Sequence, residues 1–165
     1  NVRKWAKKFV KENYKKVPLK DHGRYFCGLK FKNGWGEYRS YFLRQKMLLV
    51  NDNSQAILSF VEIEDITAIY KSNNYWCRIF AKSDQYNISR FYISSGNKKE
   101  FKDLISPKEM DILKLCNEQK SVQEISEILQ LSKNTVERHR KNMIARAGVK
   151  DLTSLIHICR LCEIC

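Results

Sequence analysis

Ser132-Lys-Asn-Thr-Val-Glu-Arg-His-Arg-Lys-Asn-Met-Ile-Ala-Arg-Ala-Gly-Val149 decides how this chain is read. On a helix, Val136, Met143 and Ala147 share one side, while Asn134, Arg138, Lys141 and Ala145 share the other. Lys133, Arg138, Arg140, Lys141 and Arg146 crowd the polar arc against one acid, Glu137. A narrow apolar stripe opposite a basic, amide-bearing face suits insertion into the major groove of DNA. A solvated surface helix is the plainer reading, and the preceding residues decide between the two.

Upstream, Ser121-Val122-Gln123-Glu124 is a capping-box pattern opening an apolar run through Ile125, Ile128 and Leu129. Ser132 caps the next helix, so two short helices joined by about three residues follow one another, as in a helix-turn-helix. Before them, Ser106-Pro107-Lys108-Glu109 places a cap, a proline at the first helical position and a glutamate at the third. Met110, Ile112, Leu113, Leu115 and Cys116 give that helix a broad face to bury.

Residues 104–157 resemble the LuxR-type (GerE) helix-turn-helix of bacterial transcription regulators. The elements that match are the opening Leu-x-Ser-Pro-x-Glu, the Glu-Ile of the scaffold helix, Ser132-x-Asn-Thr-Val-x-x-His139 and the closing Gly148-Val149. Two residues depart from the pattern: Gln119 stands where the family usually has Gly, and Ala147 where it usually has Leu. A non-Gly residue in a left-handed cap costs about 1 kcal/mol, which weakens the cap without refuting the fold. The resemblance implies that Glu137, Arg138 and Lys141 reach base edges and that His139 lies against the DNA backbone. Lys133, Asn134 and Thr135 lie at the helix start, where backbone amides favour a phosphate, and Asn142 completes the expected DNA-binding set. The resemblance also implies a homodimer formed through a fourth helix, residues 151–163. Its stripe of Leu155, Ile158, Cys159 and Cys162 is expected to be left over once the first three helices have formed a core.

The 165 residues suffice for one ordinary domain or two small ones, and the composition, 43% hydrophobic with six Gly and two Pro, is globular. A formal charge of +13 points to a polyanionic partner. Its distribution is uneven: ten Lys/Arg and eight Asp/Glu lie from residue 104 onward, a net +2, leaving +11 in the first 103 residues. Local patterning, not net charge, therefore carries the DNA argument. No apolar run approaches the roughly 20 residues of a membrane span, and no signal peptide opens the chain, so no membrane partner and a cytoplasmic location are expected. The chain starts at Asn1, as a fragment would.

In the first half, Val2, Trp5, Ala6, Phe9 and Val10 make an apolar helical face. Tyr25–Phe31, Tyr38–Val50 and Ala56–Ile69 read as strands, and Tyr75–Ala81 with Ile88–Ile93 as a hairpin. Gly34-Trp35-Gly36 and Asn51-Asp52-Asn53-Ser54 read as turns. Helix and strands closing on Asp65-Ile66-Thr67 resemble the C-terminal part of a PAS sensor domain over residues 1–70. The hairpin is then expected as an extension towards the second half. The expected fold class is α+β: a partial PAS-like antiparallel sheet with a helix (residues 1–97), then an all-α four-helix domain (residues 98–165). The boundary is placed near Ser94-Ser95-Gly96-Asn97, and residues 100–165 are expected to suffice for reading DNA.

No catalytic constellation stands out, so no enzyme and no cofactor are expected. Cys159, Cys162 and Cys165 form a C-x-x-C-x-x-C array of metal-ligand type. Leu152, Leu155, Ile156, Cys159 and Cys162 also continue one apolar stripe, and free cysteine packs as a small hydrophobe, so packing is preferred to metal. His22 is the one candidate for a haem ligand in a PAS-like half and is set aside; His157 is read as a packing residue. The sequence therefore points to a sequence-specific transcription regulator that binds double-stranded DNA, with RNA polymerase as a further partner. The alternative is a small-ligand or redox/metal-sensing module run by its cysteines and its PAS-like half. A third reading is a sigma-factor-like module that acts only within RNA polymerase.

Overall fold

The computed structural model describes residues 2–13, 16–51, 56–93, 98–99 and 105–164. The expected boundary turn at 94–97, most of the turn at 51–54, and Cys165 lie outside them. The chain forms two compact units: residues 1–68 with 73–100, and residues 69–72 with 101–165.

In the first unit, α1 (Val2–Asn13) and a 3-10 turn (Leu19–Asp21) precede β1 (His22–Lys32), β2 (Tyr38–Val50), β3 (Ala56–Asp65), β4 (Trp76–Lys82), β5 (Asn87–Ile93) and β6 (Lys98–Lys99). The strands form one antiparallel sheet in the order β3-β2-β1-β4-β5-β6. The α+β expectation holds, with two differences. The expected hairpin is no appendage, because β4 pairs directly with β1 and carries Cys77, Ile79 and Ala81 into the core. The third strand ends at Asp65, four residues earlier than its apolar run suggests.

The Asp65-Ile66-Thr67 geometry explains that ending. The Asp65 carboxylate accepts from the Thr67 amide at 2.9 Å and from Arg39 Nε at 2.6 Å. The Ile66 amide donates to the Ser40 carbonyl, and the Ser40 amide donates to Thr67 Oγ1. Backbone groups that would have continued the ladder are thus consumed in a turn clamped to β2.

The two sheet faces are packed differently. Strand alternation puts His22, Arg24, Phe26, Cys77, Ile79 and Ala81 on the face that meets Ala6 and Phe9 of α1 and Val17 beyond it. On the opposite face Tyr25 is fully buried, with ring centroids 5.0 Å from Phe80 and 5.9 Å from Phe42. The guanidinium groups of Arg44 and Arg78 lie 5.8 and 5.7 Å from the Tyr25 ring centroid.

Gly23 is what lets this stack close. A Cβ at that position would run into the Phe80 ring, which is itself held against Tyr25. Replacing Gly23 with Ala is therefore expected to destabilise the sheet by about 1–3 kcal/mol, as overpacking of a filled core does. Denaturant unfolding followed by tryptophan fluorescence reads the difference, and an unchanged midpoint would show that Phe80 yields freely.

Candidate nucleic-acid interface

The second unit is built on four helices: α2 (Pro107–Asn117), α3 (Val122–Ile128), α4 (Lys133–Ala147) and α5 (Leu152–Leu161). Each starts where the sequence places a cap. Ser106 and Ser121 complete reciprocal capping boxes with Glu109 and Glu124, Ser132 accepts from the Thr135 amide, and Asp151 from the Ser154 amide. Each ends with the residue beyond its cap bonded back to a carbonyl five residues earlier: Lys120 to Leu115, Leu131 to Ser126, Val149 to Ile144 and Ile164 to Cys159. The left-handed position in these endings is Gln119 (φ 62°), Gln130 (φ 52°), Gly148 (φ 70°) and Glu163 (φ 53°). The first helix thus keeps its left-handed ending with Gln119 in place of the usual glycine.

The core of this unit includes Ile112, Leu113, Cys116, Ile125, Val136 and Met143, all buried. Ile128, expected on the inner side of α3, is exposed, because that helix is only seven residues long and buries Ile125 and Ser126 instead. α2, α3 and α5 all pack against α4.

α4 presents Lys133, Asn134, Arg138, Lys141, Asn142 and Ala145 to solvent, at the spacing of one outward face. Its first turn contains no acid, so the positive end of the helix dipole is uncompensated beside Lys133 and Asn134. Thr135 is half-buried, and its hydroxyl lies 2.9 Å from the Ser132 hydroxyl. Glu137 forms an ion pair with Arg140 at 3.0 Å along the helix. His139 is placed on the inner flank, its Nδ1 3.4 Å from the Glu109 carboxylate.

Glu109 was legible only as a capping residue, yet it is the charged centre of this unit. It is 3% exposed and receives the Ser106 amide at 2.8 Å and Arg146 Nη2 at 2.6 Å, besides its contact with His139. Burial is the largest single influence and pushes its pKa up. The hydrogen bonds from Arg146, the Ser106 amide and His139 together outweigh burial, and the carboxyl sits below the ordinary glutamate value.

Two further features were not anticipated. Leu155, Ile158, Cys159 and Cys162, expected as an unused stripe on α5, are all at most 2% exposed. α5 completes the packing, and its outward residues are Thr153, His157 and Arg160 instead. The burial of Cys159 and Cys162 fits the packing reading of the cysteine array. The second feature is residues 69–72, which pair with the α4–α5 turn. Tyr70 bridges Val149, the Lys71 and Ser72 amides donate to the Gly148 carbonyl, and the Lys150 amide donates to the Ile69 carbonyl. Local sequence gives no signal for such a pairing across almost 80 residues.

Residues 103–159 match the model of the luxR family of bacterial regulatory proteins. They form a luxR-family helix-turn-helix domain. Over the whole chain, similar solved structures are of VqmA. A complex of VqmA with DPO gives a TM-score of 0.35 at 11% identity, covering 95% of this chain and 56% of that one. The Vibrio cholerae VqmA dimer without target DNA gives 0.36 at 10% identity, covering 96% and 64%. A phage VqmA–DPO complex gives 0.35 at 10% identity, covering 95% and 64%. The chain thus spans less than two thirds of the length of these proteins. No curated protein sequence matches it. Among the described residues, no helix is long and apolar enough to cross a membrane.

Because the folded Glu109 pKa lies below its unfolded value, its stabilising share is present above the unfolded pKa and is lost as pH falls through the folded one. Glu109→Gln is expected to cost about 1.5–3 kcal/mol at pH 7, the scale of hydrogen bonds to a charged group. That gap should narrow below about pH 4.3, the ordinary glutamate value. Urea unfolding followed at the helical dichroism band across pH 3–7 reads both, and a gap that stays constant with pH would assign the loss to packing.

Proposed function

We propose that this chain is a sequence-specific transcription regulator that binds double-stranded DNA by inserting α4 into the major groove, and that it works in the cytoplasm. One observation carries the proposal: the outward face of α4 bears Lys133, Asn134, Arg138, Lys141 and Asn142, its one acid Glu137 is ion-paired to Arg140, and the helix is fixed from behind by capped helices. The activity is binding. Contact with RNA polymerase would follow DNA binding, and the first unit, read as PAS-like, would supply regulation.

The roles differ along the helix. Arg138 can offer guanine a bidentate fork and Lys141 a single donor, whereas Lys133 at the helix start serves a phosphate. Glu137, half-buried beside Arg140, can accept from cytosine only if that ion pair opens on binding. His139, turned to Glu109, would reach the DNA backbone with the edge that remains free of it.

Arg138→Ala is therefore expected to cost roughly 1–3 kcal/mol and to relax preference at one position of each half-site. Lys133→Ala should weaken binding to all sequences alike and lower the salt slope by about 1. Competition binding against single-base variants at two salt concentrations separates the two. Uniform weakening by Arg138→Ala together with altered base preference in Lys133→Ala would reverse the assignment.

Dimerisation through α5 is retained in a changed form. With Leu155, Ile158, Cys159 and Cys162 buried, the pairing surface would be the outward side bearing Thr153, His157 and Arg160. In a two-fold interface every substitution occurs twice. Thr153→Glu with His157→Glu is thus expected to yield monomers by sedimentation velocity while half-site binding persists, and an unchanged dimer mass would exclude α5 as the interface.

A further inference from the structure

The hairpin between β1 and β2 ends in a projecting tip. β4 pairs with β1 only over His22–Cys27, and β3 pairs with β2 only from Tyr41 onward. Among the described residues, 31–32 and 38–39 therefore pair in the sheet with each other alone. A two-stranded ribbon is marginal by itself, and this one is braced by Asn33. The Asn33 side chain accepts from the Trp35 and Glu37 amides at 3.0 and 2.9 Å and donates to Glu37 Oε2 at 2.9 Å. Its backbone bonds Gly36 and Glu37, and Gly36, at φ 83°, completes the turn. The brace holds Trp35 out in water, 88% exposed, with Tyr38 68% exposed nearby.

Alternation along the ribbon also sorts its charges. Lys30 and Lys32 share one face with Tyr38, and Lys32 Nζ lies 5.3 Å from the Tyr38 ring centroid. Lys30 donates to the neutral amide of Asn73 at 2.8 Å, and neither lysine forms an ion pair with a described carboxylate. Arg39, on the other face, takes both nearby acids, Asp65 at 2.6 Å and Glu37 at 3.9 Å. The tip thus offers two unneutralised cations beside two exposed aromatic rings. Packing accounts for none of them, and an indole fixed in water is a cost to the fold until a partner covers it.

We propose that this ribbon is a second contact for double-stranded DNA, lying in a major groove outside the segment that α4 reads. Such a groove, about 12 Å wide, admits a two-stranded ribbon. Lys30 and Lys32 then meet phosphates, and the Trp35 ring makes apolar contact at the groove floor. Charge selects the partner: exposed cations beside aromatic rings match a polyanion of stacked bases better than a neutral protein surface. A duplex held by the second unit is also presented to the first at the raised local concentration of a tethered partner. In that one respect the inference rests on the α4 reading. The ribbon adds affinity, with little sequence preference.

The test is fluorescence anisotropy of the full chain on a labelled mixed-sequence duplex several helical turns long, over a series of salt concentrations. Lys30→Gln with Lys32→Gln is expected to lower the salt slope by about 2, since each phosphate contact contributes about 0.9. Lys16→Gln with Lys20→Gln, an equal charge change at two exposed lysines outside the hairpin, should leave the slope unchanged. Trp35→Ala should weaken binding about tenfold with the slope intact, the scale of covering one large apolar side chain. Lys133→Ala, measured in parallel, reports on α4. A Lys133 effect without a ribbon effect overturns this proposal alone, whereas a ribbon effect without a Lys133 effect supports it and removes the α4 reading. Unchanged affinity in Trp35→Ala, equal slope changes in both lysine pairs, or capture of the tip by phosphatidylglycerol vesicles in place of the duplex would each overturn the proposal.

Discussion

The arrangement of the helix-turn-helix depends on one buried carboxylate. Glu109 closes the first turn of its own helix through the Ser106 amide and reaches across to His139 and Arg146 of α4. Those two residues are seven apart, two helical turns, so they lie on one side of α4 together with Val136 and Met143. Held at two heights by the same acid, the helix cannot turn about its axis without stranding a charge in the interior. That fixed phase decides which side chains face outward, and hence which can meet bases.

The same phase adds what a local reading of α4 could not give. His139 and Arg146, read in the sequence as a backbone contact and as part of the basic arc, both hold the buried Glu109 carboxylate. That acid stands 30 residues before His139, outside any local pattern. The capping signals, by contrast, were legible because each is local: a serine, an intervening pair and a glutamate specify their own hydrogen bonds. The α5 stripe was legible as apolar but not as to what would cover it, because partner identity is a property of tertiary packing.

Charge distribution gives a second instance. The first 103 residues carry +11, yet several of these bases have structural partners in the sheet. Arg39 is tied to Asp65, Arg44 to Glu62, and both Arg44 and Arg78 flank the Tyr25 ring. Helix, strands and hairpin of this half were readable from periodicity. The place of β4 beside β1 was not, since alternation states which face of a strand is buried and is silent about its neighbour.

The luxR-family match is one contiguous segment, but the folded unit is not. The chain enters that unit at Ile69, leaves it after Ser72 and returns near residue 101. Gly148 shows why those four residues matter. It takes a left-handed conformation to end α4, its carbonyl accepts two amides from Lys71 and Ser72, and a Cβ there would stand 2.5 Å from Ser72 Cβ. Three separate demands thus fall on one position, and only a residue without a side chain meets them all. A fragment beginning at residue 100, expected from sequence to suffice for reading DNA, would lack the partners of Gly148 and Lys150 at the turn that joins the recognition helix to α5. Sufficiency of such a fragment therefore depends on water replacing three backbone hydrogen bonds and on Val149 tolerating the loss of Tyr70, a condition that the contiguous family match does not reveal.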